Sequence, residues 1–71
     1  MDQVKPGLYA HFKGNHYRVL GTAQHTETHE KLVFYYPLSE PHRLFARPLT
    51  MFVEQVQRED YQGPRFHWLE D

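Results

Sequence analysis

The part of the sequence that decides the fold lies at residues 7–23, which read GLYAHFKGNHYRVLGTA. Apolar and polar residues alternate on both sides of Gly14-Asn15, and this pair suits the positive φ angles of a two-residue hairpin turn. The pattern therefore predicts two antiparallel strands, residues 7–12 and 17–23, with Phe12 opposite Tyr17. Cross-strand partners share a face of the sheet.

This register predicts two different faces for the hairpin. One face is apolar and is expected in the core: Leu8, Ala10, Phe12, Tyr17 and Val19. The other face mixes basic and aromatic side chains: Tyr9, His11, Lys13, His16, Arg18 and Leu20.

The rest of the chain continues as short strands separated by turns. Residues 32–36 are apolar on both faces, as in a central strand, and residues 44–47 form a fourth strand that Pro48 stops. Residues 49–52 suit a short helical turn or a bend into a strand at 52–56. The segment REDYQGP is predicted as a turn, and residues 65–69 as the last strand. A mainly β domain spanning residues 1–71, a small curled antiparallel sheet or barrel of five or six short strands, is predicted.

The composition limits how such a chain is stabilised. It has 71 residues and no cysteine, so apolar burial rather than disulfides must hold it together. Five Phe, five Tyr and one Trp provide large apolar side chains for this purpose. The predicted core is Leu8, Phe12, Tyr17, Val19, Val33, Leu44, Phe52 and Val56. A chain this short has little room for a deep pocket beside that core, which disfavours an enzyme.

Charge and hydropathy exclude several classes of function. The formal net charge is −1, so the chain has no overall basic character of the kind that drives non-specific nucleic-acid binding. Its longest apolar run, residues 32–36, is too short to cross a bilayer. The first residues, MDQVKPG, lack the apolar segment of a signal peptide. We expect a cytoplasmic protein without membrane association.

Three motifs resemble those of the bacterial domain of unknown function 1653 family. They are G-x-Y-x-H-x-K-G-x-x-Y from Gly7, A-x-H-T-E-T-x-E from Ala23 and R-P-x-x-M-F from Arg47. The resemblance implies a small SH3-like antiparallel barrel and brings no activity, cofactor or partner with it. Members often have Trp where this chain has Phe45, and the loop PLSEPHR replaces a glycine-rich connection. The family pattern falls on Tyr9, His11, Lys13, Gly14, Tyr17, His25, Thr26, Glu27, Thr28, Glu30, Tyr35, Arg47, Pro48, Met51 and Phe52.

The polar segment HTETHE, residues 25–30, has two possible interpretations. A zinc site needs three or four convergent ligands, and His25 with His29 supplies only a pair in poor helical sequence. Threonine hydroxyls and carboxylates instead cap backbone N–H groups in tight connections. We predict a hydrogen-bonded loop or site rim without metal, catalytic residues or cofactor, formed by His25, Thr26, Glu27, Thr28 and Glu30.

The basic and aromatic face of the hairpin is the best candidate for function. Small barrels bind extended peptides or single-stranded nucleic acid on such surfaces. We predict a non-catalytic binding module, a monomer or weak homodimer, whose ligand is anionic or extended: a peptide, nucleotide or single-stranded nucleic acid. The alternatives are an interaction protein that pairs through a strand edge and a small metal-binding or hydrolytic protein. The candidate residues are Tyr9, His11, Lys13, Arg18, Tyr35 and Arg47.

Arg47 has two possible roles. It precedes Pro48, which favours extended backbone, and its five N–H donors need partners if the side chain is covered. We predict an ion pair with Glu27 or Glu30. If Arg47 is instead exposed, has no acid within about 4 Å and can be replaced without loss of stability, it belongs to the binding face.

Overall fold

The computed structural model describes residues 4–71, which form two antiparallel sheets and one short helix. The larger sheet has the strand order β4-β3-β2-β1-β7, and β5 and β6 form a separate hairpin. The helix α1, Leu49–Phe52, connects β4 to β5. The strands are β1 Gly7–His11, β2 His16–Gln24, β3 Lys31–Pro37, β4 Phe45–Pro48, β5 Gln55–Arg58, β6 Tyr61–Pro64 and β7 Phe66–Glu70.

The predicted mainly β fold and the helical turn at residues 49–52 are confirmed. Two details differ: residues 4–71 contain seven strands rather than five or six, and the sheets do not close into a barrel. The additional strand is β6, where Gly63-Pro64 had suggested a turn. It forms because Arg58 pairs with Tyr61 across a two-residue turn. No helix within residues 4–71 has the length and apolar character needed to cross a membrane.

The predicted register of the first hairpin is wrong. Tyr17 lies opposite Tyr9 rather than Phe12, a difference of three residues along β1. An odd shift moves every side chain of a strand to the other face of the sheet. The inner face of β1 therefore carries Tyr9 and His11, and the predicted core residue Leu8 lies on the outer side.

A longer loop causes this shift. The predicted two-residue turn at Gly14-Asn15 is replaced by a loop in which the His11 N–H donates to the Asn15 carbonyl at 2.7 Å. The Gly14 N–H donates to the His11 carbonyl, also at 2.7 Å. Gly14 has a φ of +107°, which a residue with a Cβ rarely adopts. Phe12 therefore belongs to the loop and does not extend β1.

The core is built mainly from aromatic rings. Phe52 of α1 stacks on Phe66 of β7 with ring centroids 4.1 Å apart, and Tyr9 and Tyr35 each meet Phe52 edge to face at 5.5 Å. Such pairs contribute beyond the area that they bury. The buried cluster is Tyr9, Val19, Val33, Tyr35, Leu49, Phe52 and Phe66.

The predicted core is confirmed for four of its eight residues. Its buried members are Val19, Val33, Phe52 and Val56, and its half-buried members are Leu8, Phe12 and Tyr17. Leu44 is a wrong prediction, since 59% of it is exposed. Leu44 precedes β4, in which Phe45 and Arg47 are the residues that pair with the buried positions Tyr35 and Val33.

Candidate ligand-binding pocket

A pocket of about 630 Å³ opens on the inner face of the larger sheet. We call it the inner-face pocket. Each of the five strands of that sheet contributes to its wall, and its volume is in the range of small-molecule sites. β4 and β7 are the two edge strands of the sheet and do not pair with each other, and the pocket lies on the side where the sheet is not closed. Its lining residues are His11, Tyr17, Tyr35, Leu44, Phe45, Ala46, Arg47, Pro48, Met51 and Phe66.

Arg47 supplies the permanent charge of the inner-face pocket. It enters from the inner face of β4, and its Nε–H donates to the Tyr35 hydroxyl at 3.0 Å. Its guanidinium carbon lies 5.7 Å from the centroid of the Phe66 ring. Tyr35 is 3% exposed and is therefore a rigid support. The side chain of Arg47 is thus positioned by a buried tyrosine rather than by a carboxylate.

The predicted ion pair between Arg47 and Glu27 or Glu30 is wrong. Within residues 4–71, the ion pairs are Arg43 with Glu40 and Arg65 with Glu54. Arg47 is opposite Val33 in the sheet, and its side chain leans toward Tyr35, two positions further from the HTETHE loop. Arg47 therefore meets one condition of the alternative role, the lack of an ion pair with an acidic side chain among residues 4–71, but it is half-buried rather than exposed.

His11 lies at the end of β1 and contributes an imidazole ring to the inner-face pocket. Its Nδ1 accepts a hydrogen bond from the Lys13 backbone N–H at 3.1 Å, so the neutral ring carries its proton on Nε2. Burial lowers the pKa of His11 below its ordinary value of 6.5, and the nearby charges of Arg65, Arg47 and Lys13 lower it further. His11 is therefore neutral near pH 7.

Aromatic rings form most of the remaining wall. Tyr35 meets Phe45 edge to face at 5.7 Å and Tyr17 at 5.4 Å. Tyr17 in turn meets Phe66 at 5.6 Å, and His11 meets Phe66 at 4.9 Å. Rings that brace one another in this way keep their orientation, so the apolar part of the pocket is preformed.

The structure brings together three of the six predicted ligand-binding residues, namely His11, Tyr35 and Arg47. Tyr9 lies in the core at 7% exposure, and its hydroxyl donates to the Lys5 carbonyl at 2.7 Å. Arg18 pairs with Leu8 and Tyr36, which places it on the outer face of the sheet. Lys13 belongs to the hairpin loop outside the pocket.

The sequence reasoning missed most of the apolar wall. The sequence pattern assigns Phe66 to the last strand without a role and Tyr17 to the core. The alternation along residues 44–47 does contain a signal, since it places Phe45 on the same side as Arg47. Phe66 and Met51 join the wall through contacts between distant elements, for which no local pattern exists.

The predicted local hydrogen bonds of the HTETHE loop are present. His25 accepts at Nδ1 from the backbone N–H groups of Glu27 at 3.0 Å and Thr28 at 3.3 Å. The Thr28 hydroxyl accepts from the Glu30 N–H at 3.2 Å, and His29 has a φ of +65°. Residues 25–30 do not line the inner-face pocket. Within residues 4–71, no three His, Asp or Glu side chains lie close enough together to hold a metal ion.

Lys13 belongs to a second group of cations, which surrounds Phe12. Its Nζ lies 5.9 Å from the Phe12 ring centroid, and the guanidinium carbon of Arg58 lies 5.3 Å from it. Tyr61 stacks on the same ring at 5.5 Å. We call Phe12, Lys13, Arg58 and Tyr61 the Phe12 surface. Of the basic and aromatic face that the sequence predicts, this surface contains only Lys13, and its central ring, Phe12, belongs to the predicted core face.

Comparison with known proteins identifies the family. The sequence profile described as protein of unknown function (DUF1653) matches residues 7–68. The chain belongs to this family. A crystal structure of a DUF1653 protein from Bordetella bronchiseptica is 35% identical and superposes with a TM-score of 0.84, covering 94% of this chain and 88% of that chain. No curated protein matches the chain. The family description names no activity, so the function of this DUF1653 chain has to be inferred from its residues.

Proposed function

We propose that this DUF1653 chain is a non-catalytic binding module that holds an anionic ligand in the inner-face pocket, with Arg47 as the charged contact. The observation that carries the proposal is a half-buried arginine without a carboxylate partner. Among residues 4–71, those that line the pocket include no Asp or Glu. A covered charge is costly unless it is compensated. A bound anion supplies that compensation.

The setting of Arg47 strengthens its attraction for an anion. The aromatic wall lowers the local dielectric around its guanidinium, which increases charge–charge attraction relative to water. Tyr35 holds the Nε–H, so the side chain is ordered before a ligand arrives. A preordered contact loses less conformational entropy on binding.

The pocket chemistry favours binding over catalysis. The lining residues from the described chain include no Ser, Thr, Cys or Lys that could act as a common nucleophile. His11 has no carboxylate to orient it, because its Nδ1 accepts from the Lys13 backbone. A general base normally has such an orienting partner. For this reason we rank a hydrolytic function below binding.

An NMR titration of the whole chain tests this proposal. Acetate, inorganic phosphate and adenosine monophosphate are each added while the Arg47 Nε–H and His11 ring signals are followed. Arg47→Gln should abolish the shifts and retain the fold by circular dichroism. Arg58→Gln is the matched control, since it removes the same charge from an exposed arginine outside the pocket. The proposal fails if no anion moves the pocket signals, or if both variants bind as the parent does.

The Phe12 surface favours a second candidate function, the binding of a single-stranded nucleic acid. Two cations beside a half-buried aromatic ring combine the phosphate contact and the stacking platform that such binders use. Titration with a short oligothymidylate tests it. Binding that Arg58→Gln weakens and Arg47→Gln leaves intact would assign the ligand to this surface. Without that pattern, this second candidate is rejected.

A further inference from the structure

We propose that the inner-face pocket selects monocarboxylates that carry a flat apolar group, and that it discriminates against phosphorylated ligands. This inference rests on the proposed anion-binding function and names its ligand class. Three independent features carry it: the free donors of Arg47, the net charge of the wall and the exposed apolar rim. Each concerns described residues of this chain.

The first feature is the set of donors that Arg47 still offers. Its Nε–H is already used by the Tyr35 hydroxyl at 3.0 Å. Within residues 4–71, neither terminal nitrogen of this guanidinium makes a hydrogen bond. Two terminal N–H groups point the same way and match the two oxygens of a carboxylate. Arg47 is therefore prepared for an end-on, bidentate contact with one planar acid group.

The second feature is the charge that the pocket can balance. Arg47 is the permanent cation among the lining residues, and His11 is neutral near pH 7. Arg43, whose guanidinium carbon lies 5.2 Å from the centroid of the Phe45 ring, is paired with Glu40. A phosphate monoester carries roughly −1.5 to −2 at this pH. It would bring an uncompensated charge into a wall made largely of aromatic rings, which is unfavourable. A carboxylate carries a single charge and leaves none uncompensated.

The secondary structure that forms the pocket also favours a carboxylate over a phosphate. Phosphate sites commonly use the N-terminus of a helix or successive backbone N–H groups of a glycine-rich turn. The inner-face pocket is formed mainly by strands and contains no glycine among its described lining residues. Its helix, α1, has four residues.

The third feature is the apolar rim. Leu44 is 59% exposed and Met51 is 50% exposed, although both line the same pocket. Leu44 contributes little to the core, so stability does not explain its position there. An apolar ligand group that passes between these side chains and lies against Phe45 would remove them from water. The ligand thus needs an apolar body next to its carboxylate.

Four related compounds separate these features experimentally. Phenylacetate has the carboxylate and the ring, phenylacetamide lacks the charge, acetate lacks the ring and phenyl phosphate replaces the acid group. NMR titration of the whole chain should give phenylacetate the tightest binding, by about tenfold or more over each of the others. Phenylacetamide loses a charged hydrogen bond, acetate loses the burial of the ring, and phenyl phosphate brings an uncompensated charge. N-acetylphenylalanine and its amide form a further pair, which tells whether the carboxylate of a peptide terminus also fits.

Two variants connect the selectivity to Arg47. Arg47→Lys keeps the charge and removes the fork, so it should weaken phenylacetate and reduce its advantage over phenyl phosphate. Arg18→Gln, which removes the same charge from the outer face of the sheet, should change neither. Equal or tighter binding of phenyl phosphate to the parent, lost in Arg47→Gln, would overturn the carboxylate inference and leave the anion-binding function standing. If none of the anions moves the pocket signals, both proposals fail.

Discussion

The hydrogen bond between Arg47 and Tyr35 can be tested by a double-mutant cycle. Tyr35 is 3% exposed, and its hydroxyl accepts the Arg47 Nε–H at 3.0 Å. Arg47→Met removes the donor and leaves a buried hydroxyl without its partner. Tyr35→Phe keeps the ring in the core and removes the hydroxyl itself. In the Tyr35→Phe background, the second substitution therefore has no buried polar group to strand.

The magnitudes follow from this geometry. A buried polar group left unsatisfied costs about 1–3 kcal/mol. Because Arg47 is partly exposed, we expect the lower half of that range, about 1.5 kcal/mol, for Arg47→Met. The same change after Tyr35→Phe should cost about 0.5 kcal/mol, which leaves a coupling energy of about 1 kcal/mol. Each kcal/mol corresponds to roughly 4–8 °C in melting temperature for a domain of this size.

Urea unfolding of the parent, both single variants and the double variant measures the cycle. Far-UV circular dichroism and the fluorescence of Trp68, the single tryptophan, report the same transition if the domain unfolds in one step. Strictly additive free energies of unfolding would refute the hydrogen bond as the support of Arg47. Arg47 would then not be held in place by Tyr35 before a ligand binds.

Three further predictions concern the core, the backbone and pH. Phe52→Ala should lower the free energy of unfolding by about 3–5 kcal/mol and unfold much of the protein, whereas Phe12→Ala, in the hairpin loop, should leave a folded chain. The midpoints of urea unfolding measure both effects, and equal losses of stability would contradict the core assignment. Gly7→Ala should destabilise the protein more than Gly21→Ala. Both glycines have a positive φ, but only at Gly7 would an added Cβ meet a backbone oxygen, that of Glu70 at 2.5 Å. Equal melting temperatures of the two variants would contradict this prediction. Because of His11, the free energy of unfolding should fall as the pH drops below 6.5. Burial and the charges of Arg65, Arg47 and Lys13 lower the pKa of His11 in the folded state, so the unfolded chain binds the proton at a higher pH than the folded chain does. His11→Gln should reduce that fall in thermal melts, and a bound carboxylate should raise the His11 pKa in NMR titrations.

The sequence by itself determined the class of the fold and most of its elements. Alternating residues in 7–23 and the apolar run 32–36 predict strands because the side-chain period of a strand is two. Pro48 and the residues after it predict the break at 49–52, where α1 lies. Burial of Val19, Val33 and Phe52 also follows from these local patterns. For the site, the sequence identified His11, Tyr35 and Arg47 as candidates by chemistry alone.

Only the tertiary structure decided which of those residues meet. The hydrogen bond between His11 and Asn15, four residues apart in the chain, belongs to a hairpin whose register is shifted by three residues, and this shift moves Tyr9 into the core. Local sequence does not determine such a shift, because Gly14-Asn15 suits more than one turn. The partner of Arg47 depends on the pairing of β4 with β3, where Tyr35 is nearer than the acids of the HTETHE loop. The pocket itself exists because the curved sheet leaves β4 and β7 unpaired with each other, and that separation results from packing across the whole domain rather than from any one segment.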